Sequence, residues 1–178
     1  FIDIHNHSDF ILLMKDHPRI LRPYVEQGIT TLVTGNCGVS PAPVNKESMD
    51  TMRGYVELIG ADASLDWDWS TFGEYLKKLE SQGVLFNVAP LVGHGAIRFA
   101  VMQAKATKPS RAEMEGMKAL LDQTLREGAF GMSVGLIYPP GMWSTTRELV
   151  ELARIVAVHD GVLTSHVRGS SELAVSAE

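Results

Sequence analysis

Cysteine is almost missing from this chain: Cys37 is the single thiol among 178 residues. One cysteine cannot close an internal disulfide, so a stapled secreted scaffold is excluded and a reducing, cytoplasmic setting is the expectation. Basic residues are also in deficit, 16 against 21 acidic ones for a net charge of −5, and they are scattered rather than clustered. That balance offers no electrostatic footprint for nucleic acid. The chain has no apolar run near the ~18 residues a membrane helix needs. Its opening "FIDIHNH" lacks the charged-then-apolar order of a signal peptide, so no membrane partner is expected. What is present is 45% hydrophobic and 21% charged residues, enough to bury a core and too apolar for a disordered chain.

Short apolar runs alternate with longer amphipathic ones. Strands are expected over residues 1–7, 30–37, 84–92, 130–136 and 161–167. Between them, "HPRILRPYVEQG", "STFGEYLKKLESQG", "SRAEMEGMKALLDQTLREGA" and "STTRELVELARIVAVHDG" read as helices. Several of these start at Ser or Thr with Glu three or four residues on and stop at Gly, the pattern of capped helices. Residues 41–69, with their prolines and "DASLDWDW", read as one long irregular excursion of the kind that helps form a substrate pocket. No repeat, low-complexity tract or linker divides residues 1–178, which are therefore expected to form one domain.

A strand–helix alternation argues for a parallel sheet with helices on its faces. An open sheet built for a nucleotide wants a Gly-rich loop after its first strand, and "DIHNHSD" has none. Imidazoles and carboxylates at strand tips are what a TIM-like (β/α)8 barrel places there. Such barrels typically need ~250 residues, so the chain accounts for about five of the eight units. "FIDI" begins without a cap and "SELAVSAE" ends at what reads as the opening of a helix, so both ends are expected to continue into a longer protein.

By strand alternation Asp3, His5 and His7 face one way and Ile2 and Ile4 the other. Two imidazoles spaced H-x-H can share a divalent metal; the alternative is a hydrogen-bonded pair at a polar rim. The letters "HNH" also name a nuclease motif, but its ββα zinc context is absent. His166, in "LTSHVRG", ends the fifth strand at the same side of the sheet, and Cys37 ends the second, where an inert buried thiol is the alternative reading. The fourth strand, "FGMSVGL", puts Gly131, Ser133 and Gly135 on one face, with no side chain able to reach a metal. All seven lysines fall in helices or loops, so none is available on a strand to be carbamylated into a metal bridge.

"FIDIHNHSD", "TGNCGVSPAP", "NVAPLVGHGAIR", "GAFGMSVGLIYPPG" and "SHVRG" follow one another at spacings that resemble the N-acyl-D-amino-acid deacylase (D-aminoacylase) branch of the amidohydrolase superfamily. The likeness spans nearly the whole chain; H-x-H alone is weakly specific, whereas "GNCG" together with "GLIYPPG" is far more so. The resemblance implies zinc-dependent hydrolysis of the amide of N-acyl-D-amino acids, small-molecule substrates, with a cysteine replacing the carbamylated lysine of other amidohydrolases. It assigns Cys37 and His166 to a tightly bound zinc, completed by a histidine from a sixth strand. His5 and His7 go to a second, weaker metal position that shares Cys37. Tyr138, in "LIYPPG", matches a tyrosine that contacts substrate, and Arg168 is a candidate for orienting a substrate carboxylate, with a pairing to Asp3 or Asp9 as its alternative. The general-base aspartate of the eighth strand lies beyond Glu178, as does the sixth-strand histidine, so the fragment by itself is expected to be inactive. The branch often has an acidic residue after "HxRG"; here Ser170 stands there, with Glu172 two residues on.

Three other histidines invite plainer readings: His17 near a helix start, His159 at a solvated helix end, and His94 either structural or at the pocket rim. The tryptophans, Trp67, Trp69 and Trp143, read as packing or pocket wall. Alternatives to the deacylase are an amidohydrolase for D-dipeptides or other amides, and a non-catalytic metal-binding module. The open outer edges of the first and fifth strands predict self-association.

Overall fold

In the computed structural model of the chain, which describes residues 1–58 and 65–169, every expected strand region forms part of a parallel ladder. β1 (Ile2–Asp3) pairs with β2 (Thr31–Thr34), and β2 with β3 (Asn87–Pro90). β4 (Val92–Gly93) pairs with β5 (Gly131–Gly135), and β5 with β6 (Val162–His166). β3 and β4 are two halves of one expected strand, parted at Leu91. The Leu91 amide still donates to Thr34 O on β2 at 2.9 Å, while Pro90 O already accepts from the Phe130 amide beside β5 at 2.9 Å. Proline has no N–H to give a ladder, which suits it to the point where the chain changes partner.

The spatial order follows the sequence and never reverses. A doubly wound sheet reverses at its switch point; an arc of a parallel α/β barrel does not. The barrel expectation and its count of five strand positions therefore hold.

The helices are α1 (His17–Ile20), α2 (Arg22–Glu26), α3 (Lys46–Leu58), α4 (Phe72–Gln82), α5 (His94–Met102), α6 (Arg111–Arg126) and α7 (Thr146–Val158). Capping boxes open α4, with Thr71 and Glu74, and α6, with Ser110 and Glu113. At α7 the Thr145 hydroxyl accepts from the Glu148 amide at 3.2 Å. Caps of this kind are each worth about 1 kcal/mol and fix where the helices start.

Two helices depart from the sequence expectation. α3 lies inside the stretch 41–69 expected to be irregular, started by Asn45, whose Oδ1 accepts from the Ser48 amide at 2.8 Å. α5 was not expected because residues 94–99 are all buried, so it lacks the solvent-facing polar side that gives a surface helix its amphipathic period. β1 is also shorter than residues 1–7, so His5 and His7 lie in the loop beyond it rather than on its alternating faces.

The core lies between sheet and helices. Leu32 and Met132 from the strands meet Phe72, Tyr75, Ile97, Met117, Leu121 and Leu152 from the helices, all fully buried. Burying a side chain of this size is worth roughly 1.5–3 kcal/mol. Ile2 and Ile4, expected on the side of β1 away from the histidines, are 63% and 72% exposed. Among the described residues no element covers the outer side of β1, and no helix is long and apolar enough to cross a membrane.

Candidate metal centre

His5 and His7 follow β1, and Cys37 follows β2, so neighbouring parallel strands deliver all three to one end of the sheet. The imidazoles meet edge to face with centroids 5.6 Å apart, and His5 Nε2 stands 3.3 Å from Cys37 Sγ. One ligand atom from each residue lies within 4.8 Å of the others. Tetrahedral zinc with sulfur and nitrogen ligands separates those atoms by roughly 3.3–3.6 Å. The cluster is thus close to ligand spacing already.

His166, at the end of β6, stands outside that trio. Its ring meets Tyr138 edge to face, with centroids 5.5 Å apart. It remains in electrostatic reach of His7, whose pKa is lowered by burial first and then by the charges of His5 and His166. That favours the neutral imidazole, the form in which histidine binds a metal.

The turn carrying Cys37 is held by backbone shape and by β5. Gly35, Cys37 and Gly38 have φ of +71°, +55° and +75°. The left-handed region costs glycine little and a side chain more, so Cys37 is there because its surroundings hold it. Ser133 Oγ donates to Gly35 O at 2.5 Å and accepts from the Gly38 amide at 2.8 Å. The Tyr138 hydroxyl donates to Cys37 O. A Cβ on Gly135 would fall 2.2 Å from that same oxygen. The face of β5 that reads as empty is therefore filled by the backbone of the cysteine turn. A cavity of about 10 Å³, room for one water at most, lies behind it between Gly38, Phe99, Tyr138 and Pro140.

Burial pushes the Cys37 thiol pKa up; a hydrogen bond with Tyr138 opposes this and the charge of Asp9 adds to it. Asp9 is fully buried, and desolvation raises its pKa to about 7. The amides of Asp9 and Gly35 pull it the other way without reaching hydrogen-bond geometry. A divalent cation inverts this balance, because a coordinating thiol loses its proton outright. A thiol and two imidazoles are also the donor set a borderline-soft ion such as zinc prefers. The residues present fit such a metal.

Arg168 does not pair with Asp3 or Asp9. Its guanidinium donates to Met142 O at 3.1 Å and to Ser144 O at 2.7 Å, tying β6 to the turn after Tyr138. His94 proves structural: it is fully buried, with Nε2 2.9 Å from Glu148 Oε1. His17 opens α1 as expected but is buried; His159 caps α7 and meets Asp122 at 2.7 Å. Trp67 and Trp69 stack at 5.3 Å, and Trp69 Nε1 donates to Pro41 O, which pins the excursion. Ser170, Glu172 and the expected terminal helix lie outside the described residues. The roles of Ser133 in holding the cysteine turn and of buried Asp9 beside it, and the Arg98–Glu148 pair, were not anticipated. Ser133 and Asp9 could have been found from their places at a strand tip and after H-x-H; the pairing across 50 residues left no sequence signal.

No family model matches the chain. An N-acyl-D-aspartate deacylase of Alcaligenes xylosoxydans xylosoxydans is 38% identical over 178 residues, 99% of this chain and 34% of that protein. A D-aminoacylase of the same organism is 34% identical over 177 residues, 99% of this chain and 35% of that one. Among solved structures, a D-aminoacylase with a binuclear metal center superposes with a TM-score of 0.84 at 35% identity, over 99% of this chain and 36% of the other. The N-acyl-D-glutamate deacylase from Bordetella bronchiseptica, complexed with zinc and a phosphonate inhibitor, gives a TM-score of 0.81 at 37% identity, over 99% and 35%. The chain thus spans about a third of the length of the relatives it matches.

Proposed function

With 99% of its length aligned to them in sequence and in fold, this chain is homologous to the N-acyl-D-amino-acid deacylases of the amidohydrolase superfamily, and from that premise we propose that it is the metal-bearing part of a zinc-dependent hydrolase of N-acyl-D-amino acids. The observation that carries this reading is the meeting of His5, His7 and the sole cysteine at the ends of β1 and β2.

Cys37, His5 and His7, which stand together, would hold the metal, with His166, in electrostatic reach of His7, as a further ligand. When bound, zinc polarises the scissile carbonyl and brings the pKa of a bound water toward neutrality. The rest follows from the chain itself. The left-handed turn aims Sγ at the imidazoles, and Ser133 and Tyr138 keep it there by holding Gly35 O, Gly38 N and Cys37 O. Tyr138 lies between Cys37 and His166, where its ring also forms a wall beside an incoming acyl group. Arg168, engaged with Met142 and Ser144, orders the Tyr138 loop; its remaining donors can still meet a substrate carboxylate. The general base and the last metal ligand come from outside these residues, so residues 1–178 are a barrel segment that is inactive alone.

The decisive experiment assays the full-length protein with N-acetyl-D-amino acids, acidic ones included, against their L-enantiomers and D-dipeptides. Preference for an N-acyl-D-amino acid supports the reading; preference for L-substrates overturns it.

A further inference from the structure

Behind the cysteine turn lies a buried ionic cluster that the proposed chemistry does not use. Glu148, in the first turn of α7, takes both carboxylate oxygens to Arg98 Nη1, at 2.7 and 2.8 Å, and Oε1 also to His94 Nε2 at 2.9 Å. Arg98 Nη2 donates on to Thr107 O at 2.7 Å. The side chains of His94, Arg98 and Glu148 are at most 1% exposed. Desolvating three polar groups of this kind is a poor route to stability, since well-packed apolar residues often do as well. What the cluster does provide is a fixed geometry.

That geometry ends on the cysteine turn. His94 stands between Gly93 and Gly95, both pressed against the backbone of Gly38: a Cβ on Gly93 would lie 2.5 Å from Gly38 C and O, and one on Gly95 2.6 Å from Gly38 O. The Gly95 amide donates to Gly38 O at 2.9 Å, and the Gly93 amide to Ser40 Oγ at 2.9 Å. Gly38 follows Cys37 directly. The hydrogen bond between the Glu148 carboxylate and His94 Nε2 fixes the ring; the ring fixes the first turn of α5; that turn fixes the peptide after the cysteine. Arg98, one helical turn on from His94, anchors α5 to the same carboxylate.

We propose that Glu148, with His94 and Arg98, is a positioning residue for the metal site, setting the placement of Cys37 Sγ through the Gly93–Gly95 backbone. This rests on the reading of Cys37 as a metal ligand. The cluster touches neither metal nor substrate; it acts on the peptide that carries the thiolate.

The test uses the full-length protein loaded with cobalt(II), whose thiolate-to-metal charge-transfer band reports the Cys37–metal bond independently of turnover. Cys37→Ser removes the band if Cys37 is a ligand; a band that survives sinks the metal-site reading, and this inference with it. With that control satisfied, Glu148→Gln is expected to weaken cobalt binding about 10–100-fold, the usual effect of losing an outer partner of a ligand, and to shift or weaken the band. Val156→Ala, a cavity in the same helix two turns beyond Glu148, is the comparison: it lowers the melting temperature and leaves band and affinity in place. Should Glu148→Gln fail to fold, Arg98→Lys, which keeps the charge and loses the fork, is read the same way. A cluster variant that melts earlier, as Val156→Ala does, with unchanged cobalt affinity and band shows the cluster to be structural only and overturns the proposal.

Discussion

The hydroxyl of Tyr138 donates to the backbone carbonyl of Cys37, while the ring of the same residue packs edge-on against His166. One side chain therefore touches two candidate ligands that come from strands far apart in the sequence. Tyr138→Phe keeps the ring and removes only the hydroxyl. In the full-length protein it is expected to weaken metal binding about 10–100-fold. Stability should change by no more than about 1.5 kcal/mol, the net worth of one hydrogen bond. A metal titration beside a denaturant curve separates the two effects; unchanged affinity removes Tyr138 from the support of the site.

Gly135 leaves room for the cysteine turn. A methyl at this position would lie 2.2 Å from Cys37 O and 2.5 Å from the Tyr138 hydroxyl, so backbone has to move. Gly135→Ala is expected to cost about 1–3 kcal/mol, the range for overpacking, and to reduce metal content as well. Gly54→Ala, at a position without a positive φ where a Cβ meets nothing within 4 Å, controls for the loss of a glycine without a clash. Equal metal content in both variants argues against the packing explanation.

Metal binding and folding are linked if Cys37 is a ligand in the native state only. Zinc at about 100 times its dissociation constant should then stabilise the full-length protein by about 2.7 kcal/mol, reversibly with a chelator. Cys37→Ala is expected to abolish that increment. Calorimetry with and without zinc measures it, and an increment that persists in Cys37→Ala places the metal elsewhere.

Glu148 gives the fold a defined acid limb. Burial pushes its pKa up, but His94 and Arg98 outweigh burial and hold the carboxyl below its ordinary 4.5. A carboxylate with a lower pKa folded than unfolded stabilises above the unfolded value and loses that contribution as pH falls through the folded one. Stability should therefore fall on acidification from about pH 4.5 downward. Glu148→Gln should lower the slope of that limb by up to about 1.4 kcal/mol per pH unit. Urea midpoints from about pH 3 to about pH 6 give the slopes. Parallel limbs in wild type and variant assign the acid sensitivity to other carboxylates.

The readable parts of the sequence were those governed by local rules. Thr71 and Ser110, each with a glutamate three residues on, announced α4 and α6 because a cap is a contact between near neighbours. The strand positions were visible as apolar runs, and His5, His7 and Cys37 as polar interruptions at their ends. What stayed hidden depends on distant contacts. Residues 94–99 of α5 are buried, its polar His94 and Arg98 included, so it shows no solvent-facing period. α3 was masked by the prolines before it and the tryptophans after it. The expectation that β5 leaves space was correct about its small residues; only the fold shows that backbone from residues 35–38 occupies that space. Arg98 and Glu148 meet across 50 residues, a pairing no period reveals.

The left-handed backbone at Cys37 narrows which side chains could inherit that position. At φ +55° a β-branched residue is a genuine outlier, while asparagine and aspartate are several-fold enriched. Threonine and valine are therefore poor replacements on conformational grounds alone, before metal chemistry is considered. Aspartate tolerates the turn and offers an anionic metal-binding oxygen, and histidine, also enriched there, offers a ring nitrogen. The turn thus sets a short alphabet for this site: thiolate first, then carboxylate and imidazole.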